Sequence, residues 1–421
     1  MNSPSKDSPG QIGARPAAVA FVLVTIALDV IAMGLIIPVL PKLVESLSGD
    51  DTANAARIFG LFGMAWALMQ LIFSPLLGAL SDRFGRRPVI LLSNLGLGLD
   101  YVLMAMAPSL AWLFVGRVIS GITSSSFSTA SAYVADVTPP EERAGKFGML
   151  GAAFGLGFVV GPAVGGVLGG IDLRLPLWTS AVLSLANALY GVFVLPESLP
   201  PSNRARFEWK RANPVSALVL LRSHPVLLGL AITIFVEQLA HESLQSVFVL
   251  YTDHRYAWGA TEVGIALAGV GICSTVVSAV LVTPVALRLG ERRTMLLGLT
   301  LGALGLSIFG IAQTGLGFLC GVPFVALWGL AGAAEQSLMS ARVGADAQGR
   351  LSGATSSLLA MAGMIGPLVF TRIFAHVVRH PELHLPGAPY FTATLLLVAA
   401  MAISWRATRP PPFAPGAQST G

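Results

Sequence analysis

Charge is scarce in this chain. Asp, Glu, Lys and Arg make up only 11% of it, and 54% of its residues are hydrophobic. A soluble domain carries roughly 25% charged residues and needs polar surface to face water. The composition therefore excludes an ordinary soluble protein and points to one solvated by lipid. Cysteine is almost missing: only Cys273 and Cys320 occur, each inside an apolar run. That excludes a disulfide framework and a Cys-x-x-Cys metal site, and both read as small packing residues. Walker sequences, nucleophile elbows and metal-ligand spacings are also lacking. ATP-driven pumping, enzymatic catalysis, a metal and a cofactor all have no visible site. The net charge of +5 does not indicate nucleic acid, because the basic residues sit in short loops with no interleaved aromatics.

What the chain has in abundance is apolar runs of membrane-crossing length, about twenty residues each. The first half gives Ala17–Pro41, Ile58–Leu80, Val89–Ala107, Leu110–Ala135, Phe147–Gly170 and Leu175–Leu195. The second half gives Val226–Tyr251, Glu262–Leu289, Thr294–Gln313, Leu316–Ala341, Leu351–Val378 and Tyr390–Trp405. The first run is too long for a signal-peptide core. The expected fold is an all-α membrane protein with twelve transmembrane helices in two pseudo-symmetric six-helix halves. The halves are expected at 17–195 and 224–406, joined by a basic cytoplasmic linker at 196–223 and flanked by cytoplasmic tails at 1–16 and 407–421.

Loop charge orients the chain. With the N-terminus inside, the inner loops hold Arg83, Arg86, Arg87, Arg143, Lys146, Arg288, Arg292, Arg293, Arg342, Arg350, Arg406 and Arg409, besides the linker cluster. The outer loops hold little more than Lys42, Arg57, Arg174, Arg255 and Arg379. This positive-inside bias puts both termini in the cytoplasm. The halves also echo each other. Gly85-Arg86-Arg87 returns as Gly290-Glu291-Arg292-Arg293, and Gly161-Pro162 returns as Gly366-Pro367, both about 205 residues on. Duplicated halves of this kind enclose a site near the bilayer midplane.

Three motifs carry mechanism. Gly78-x-x-x-Asp82-Arg83-x-Gly85-Arg86-Arg87 lies between spans two and three. Its glycines are expected to let the loop turn, Asp82 to sit near a helix N-terminus, and its arginines to bind helix-end carbonyls or carboxylates. In span five, Gly151, Gly155, Gly157, Gly161, Pro162, Gly165 and Gly166 allow close helix approach and a bend. Arg117 in span four is a cation within a span, where a charge is costly and usually functional; snorkelling to the interface is the bland alternative. Ionisable groups within spans are the proton-carrying candidates. These are Asp29 and Asp100 in the first half, and Glu237, His241, Glu242 and Glu335, with Gln336, in the second. Glu237 and His241, four apart, share a helix face. Asp29 with one or more of Glu237, His241 and Glu335 is expected to line the cavity.

Together the loop motif, Arg117 and the Gly-Pro helix resemble the major facilitator superfamily. The first half is more narrowly similar to the twelve-span tetracycline/proton antiporter family. The matching stretches include Leu28-Asp29, Pro38-Val39-Leu40-Pro41, Met69-Gln70, Ser81-Asp82-Arg83-Phe84-Gly85-Arg86-Arg87-Pro88, Leu99-Asp100-Tyr101, Gly116-Arg117 and Phe154-Gly155-Leu156-Gly157. The resemblance implies export of a small amphipathic drug, as a metal chelate for tetracyclines, in exchange for a proton. It implies roles in transport for Asp29, Gln70, Arg86, Asp100 and Arg117. It also implies work as a monomer in a bacterial inner membrane. The chain departs from that pattern in span nine, where Gly298-Leu299-Thr300-Leu301-Gly302 stands in place of an acidic residue, and around Ser274, where a histidine is expected. Two other readings stay open: a proton-coupled importer of a small metabolite, and a membrane sensor that transports nothing.

Overall fold

A computed structural model describes residues 16–124, 126–139, 141–204, 221, 225–344 and 348–409. The tails expected at 1–16 and 407–421 lie almost wholly outside the described residues, as do Arg206, Lys210 and Arg211 of the linker. The described chain is helical, with no strand among the described residues. Eleven of its helices are long and apolar enough to cross a membrane, and a shorter apolar helix, Leu110–Thr123, supplies the remaining span.

Spans one to six are Pro16–Ile36, Thr52–Phe84, Arg86–Ala105, the pair Leu110–Thr123 and Ser126–Val137, Arg143–Ile171, and Leu175–Val194. Span seven is Pro225–Tyr256. Span eight is Ala260–Val276, a π turn at Val277–Leu281, and Val282–Leu289. Span nine is Glu291–Ile311. Span ten is broken into Gly315–Leu319, Val322–Leu327 and Gly329–Ser340; span eleven is Gln348–Arg379 and span twelve Ala388–Ala407.

Local chemistry sets many of these boundaries. Span one stops at Ile36 because Pro38 has no N–H to give and disfavours helix in the residue before it; a short helix, Leu40–Leu47, restarts with Pro41 in its first turn. Span two begins where Asp51 Oδ1 accepts from the Asn54 amide at 2.9 Å, an N-cap. It runs through an internal Pro75. Span three ends with its last carbonyls held by a cation: Arg174 donates to the carbonyls of Ala105 and Ala107 at 2.7 and 2.9 Å. Expected spans four and ten are single helices, but both are interrupted. Ser124 closes the first segment of span four, and Cys320, Gly321 and Pro323 interrupt span ten. Cys320 is exposed at that break and so does not serve as the packing residue expected of it.

The helices fall into two compact units. The first comprises Met1–Asn213, Ser246–Ile272 and Pro367–Pro386. In it span one packs on spans five and six, span three on six, and span two on four. Its core joins Ala32, Phe62, Leu97, Tyr101, Met104 and Leu177, with a second cluster around Val22, Val30, Tyr133 and Leu150. The second unit comprises Pro214–Gln245, Cys273–Gly366 and Gly387–Gly421. There span nine packs on spans ten and twelve. Leu287, Phe193 and Leu395 are 83%, 79% and 70% exposed, which suits a surface wetted by acyl chains.

The repeat read from the sequence is structural. Gly85 and Gly290 each end one helix and begin the next, at φ 106°, ψ 158° and φ 78°, ψ 155°. This region of backbone space is essentially open to glycine alone. The arginine two positions later repeats too. Arg87 donates to the Val192 carbonyl in span six at 2.5 Å, and Arg292 to the Trp405 carbonyl in span twelve at 3.3 Å.

Candidate functional site

The loop after span two is an ion-pair junction. Arg86, 9% exposed, reaches Asp82 Oδ1 at 2.5 Å, Asp136 Oδ2 at 3.1 Å and Ser81 Oγ at 2.6 Å. Asp82 lies in the last turn of span two, so the expected place at a helix N-terminus is corrected. Glu197 fills that place, its Oε1 accepting from the backbone N–H of Arg86 at 2.8 Å, Ser198 at 3.0 Å and Leu199 at 3.1 Å. A carboxylate there satisfies orphan donors and meets the positive end of span three. Gly85 is needed twice over, for its positive φ and because a methyl group would collide with Glu197. Gly78 has open space beside it within a continuous helix, so the expected turn role is not its own. Arg83 is exposed, over the Phe84 ring.

Span five meets span one through its glycines. A methyl group at Gly157 would stand 2.8 Å from Val30 Cβ, and one at Gly161 would stand 2.7 Å from the Gly34 Cα. Pro162 lies inside the helix, and a methyl on Gly34 would be 3.0 Å from its ring. Further along, Gly166 meets Gly264 of span eight backbone to backbone. The same unit contains an ion pair in which Lys42 Nζ donates to Asp253 Oδ1 and to the Trp258 carbonyl, each at 2.6 Å.

Two polar clusters lie within the spans, one in each unit. In the first, Asp29, Asp100 and Arg117 all come within electrostatic reach of the buried Tyr101, and Asp100 is 1% exposed. Arg117 faces Asp100 electrostatically and stands 5.5 Å over the Trp66 ring. Both contacts turn Arg117 toward spans two and three. Asn187 of span six, fully buried, donates to Asp29 Oδ1 at 2.8 Å and to the Thr25 carbonyl at 2.9 Å. Gln70 Nε2 donates to Ser124 Oγ at 3.2 Å.

In the second unit, Glu237 and Glu335 lie in hydrogen-bonding contact. Trp328 Nε1 donates to Glu237 Oε1 at 2.5 Å, and His241 meets the Trp328 ring edge-on, centroids 5.4 Å apart. The shared face expected for Glu237 and His241 is thus realised on one tryptophan. Glu242 turns elsewhere: it accepts from Gln238 at 3.1 Å and packs beside Gly366. Gln336 is exposed and is not drawn into the acid pair. Among the described residues no group of His, Cys, Asp or Glu has metal-ligand geometry.

Sequence reasoning missed Asp136, Glu197, Asn187 and the role of Trp328. Asp136 and Glu197 were legible only as acids at span ends. Asn187 stands as one amide in an apolar run, the signal by which a polar residue inside a span is flagged.

The Major Facilitator Superfamily profile matches residues 22–371. The chain is 37% identical to the tetracycline resistance protein, class C, of Escherichia coli over 358 residues, 85% of this chain and 90% of that protein. It is 35% identical to the class D protein of Salmonella ordonez over 401 residues, 95% of this chain and 99% of that one. Among solved structures it superposes on the human organic anion transporter MFSD10 with a TM-score of 0.69 at 23% identity, covering 93% of this chain and 100% of that one. The nucleoside transporter NupG matches with a TM-score of 0.74 at 13% identity, covering 92% and 98%. These structural likenesses speak for the fold. With its duplicated helices, its Arg86 junction and this degree of sequence identity, the chain belongs to the major facilitator superfamily and, within it, to the family of the tetracycline resistance proteins.

Proposed function

We propose that this chain is a proton-coupled exporter of small amphipathic drugs, tetracyclines or similar xenobiotics, working by alternating access as a monomer in a bacterial inner membrane. The observation that carries the reading is the pair of acid clusters within the spans, Asp29 and Asp100 with Arg117 in one unit and Glu237 with Glu335 in the other. Ionisable groups kept at such a depth mark proton and substrate pathways. That its relatives are tetracycline resistance proteins supports export as the direction. The positive-inside charge of the loops supports both termini lying in the cytoplasm. In this reading residues 17–195 and 224–406 are the two moving halves. Asp29, Gln70, Asp100, Arg117, Glu237, His241, Glu335 and Gln336 face the transport path. The loop motif from Gly78 to Arg87 and the span-five stretch Gly157, Gly161 and Pro162 govern the conformational change.

The test is transport by the purified protein in proteoliposomes. An imposed pH gradient is expected to drive labelled tetracycline uphill against the proton flow, with a protonophore abolishing the accumulation. Accumulation with the proton flow would establish an importer instead, and a panel of amphipathic compounds that never moves would remove the transport reading. Cells overproducing the chain are expected to tolerate several-fold more drug than cells producing Asp29→Asn.

A further inference from the structure

Trp328 has a place in the fold that packing alone does not explain. It is 4% exposed and seated on Gly302 of span nine, where a methyl group would stand 2.7 Å from its Cγ and 3.0 Å from its Cβ and Cδ2. From that seat its Nε1 is aimed at Glu237 Oε1. An indole N–H is a donor that neither accepts nor exchanges a proton in this range, so it orients a carboxyl without competing for its proton.

The remaining oxygens say what is being oriented. Glu237 Oε2 and Glu335 Oε1 are buried and receive no N–H or O–H from any described group, yet the two carboxyls touch. Two carboxylate oxygens are both acceptors, and such a contact becomes a hydrogen bond only when one of them carries a proton. Spans seven, nine and ten bring the neighbouring groups. Span seven contributes His241, edge-on to the indole, and Glu242, beside Gly366 of span eleven and bonded to Gln238. Span nine contributes Gly298, Leu299, Leu301 and Gly302, with the exposed Thr300 donating to its own helix at the Leu296 carbonyl, and span ten contributes Trp328 and Glu335. Among the described residues no Lys or Arg pairs with either acid.

We propose that Trp328 is the positioning residue of a shared-proton site formed by Glu237 and Glu335, with Gly302 setting the depth of the indole. The proposal rests on the proton-coupled reading above. In the loaded state one proton is shared between the Glu237 and Glu335 carboxyls. On discharge that O–H bond breaks, the proton passes to water as hydronium, and both groups are carboxylates. The indole N–H then stabilises the Glu237 charge. On reloading, a proton from hydronium restores the O–H bond.

Trp328→Phe keeps an aromatic ring and removes the donor, so the discharged form loses its support. The pH midpoint of drug-driven proton flux in proteoliposomes is expected to move about one unit toward alkali, with the KM for drug little changed. Gly302→Ala, which displaces the ring without removing it, is expected to move the midpoint the same way. Glu335→Gln is expected to lose proton coupling, read as drug flux that no longer responds to an imposed pH gradient. An unshifted midpoint in Trp328→Phe or, if that variant does not fold, in Gly302→Ala would overturn the proposal, since a purely structural role changes yield or Tm and leaves the midpoint in place. A wild type that moves drug with no proton flux defeats the coupling reading itself and this proposal with it. A coupled wild type beside an unshifted variant defeats the proposal alone.

Discussion

Asn187 shows how a single amide can govern an acid. Its Nδ2 is shared between Asp29 and the Thr25 carbonyl, so the Asp29 carboxyl is turned toward span six. Asn187→Ala is expected to leave the fold intact and to lower the rate of coupled transport several-fold, measured as initial drug uptake under a fixed pH gradient. Asn187→Asp, which would set two acids side by side, is expected to do worse. The acids themselves were legible in the sequence, because a carboxyl within twenty apolar residues is conspicuous. Their partners were not. Asn187 and Trp328 are brought to Asp29 and Glu237 by helix packing over 158 and 91 residues of separation, and no local pattern records such a meeting. Gly302 adds a subtler case. In the sequence it ends the stretch of span nine that lacks an expected acid; in the structure it is the space that admits an indole.

The glycine positions separate into those that turn the chain and those that let helices touch. Gly85 and Gly290 share a backbone conformation closed to other residues, but only Gly85 also faces a crowding neighbour. Gly290→Ala is expected to cost about 1–3 kcal/mol from backbone strain. Gly85→Ala is expected to cost more, because Glu197 must also leave the start of span three; thermal melting of the purified variants compares the two. In span five, Gly161→Val would drive apolar atoms into the Gly34 backbone. Overpacking of this kind is expected to cost roughly 1–3 kcal/mol and to slow transport more than it lowers yield. The span boundaries were readable to within a few residues wherever proline, glycine or a cap marks them. The breaks inside spans four and ten were not, since Thr123 to Ser126 are small and uncharged, Cys320 to Val322 are small and apolar, and hydropathy is blind to a lost hydrogen bond.

Across the whole chain, the duplicated architecture was the most legible feature, because two short echoes at one offset sufficed to reveal it. The Arg86 junction belongs to this level, since it ties the end of span two to the ends of spans four and six through Asp136 and Glu197. Arg86→Ala removes two ion pairs and a hydrogen bond to Ser81 and is expected to reduce transport about tenfold while drug binding, read by tryptophan quenching, persists; equal loss of both would place Arg86 in the binding site instead. The repeat is also imperfect in an instructive way. By the offset that relates the halves, Pro75 in span two corresponds to Val280, which lies in the π turn of span eight. One half softens its second helix by denying it a donor, and the other by inserting a wider turn. The two repeats therefore interrupt equivalent positions of their second helices by unlike devices. Pro75→Ala would remove one device and leave the π turn of span eight in place, so drug loading and drug release, timed separately in proteoliposomes, are expected to slow unequally.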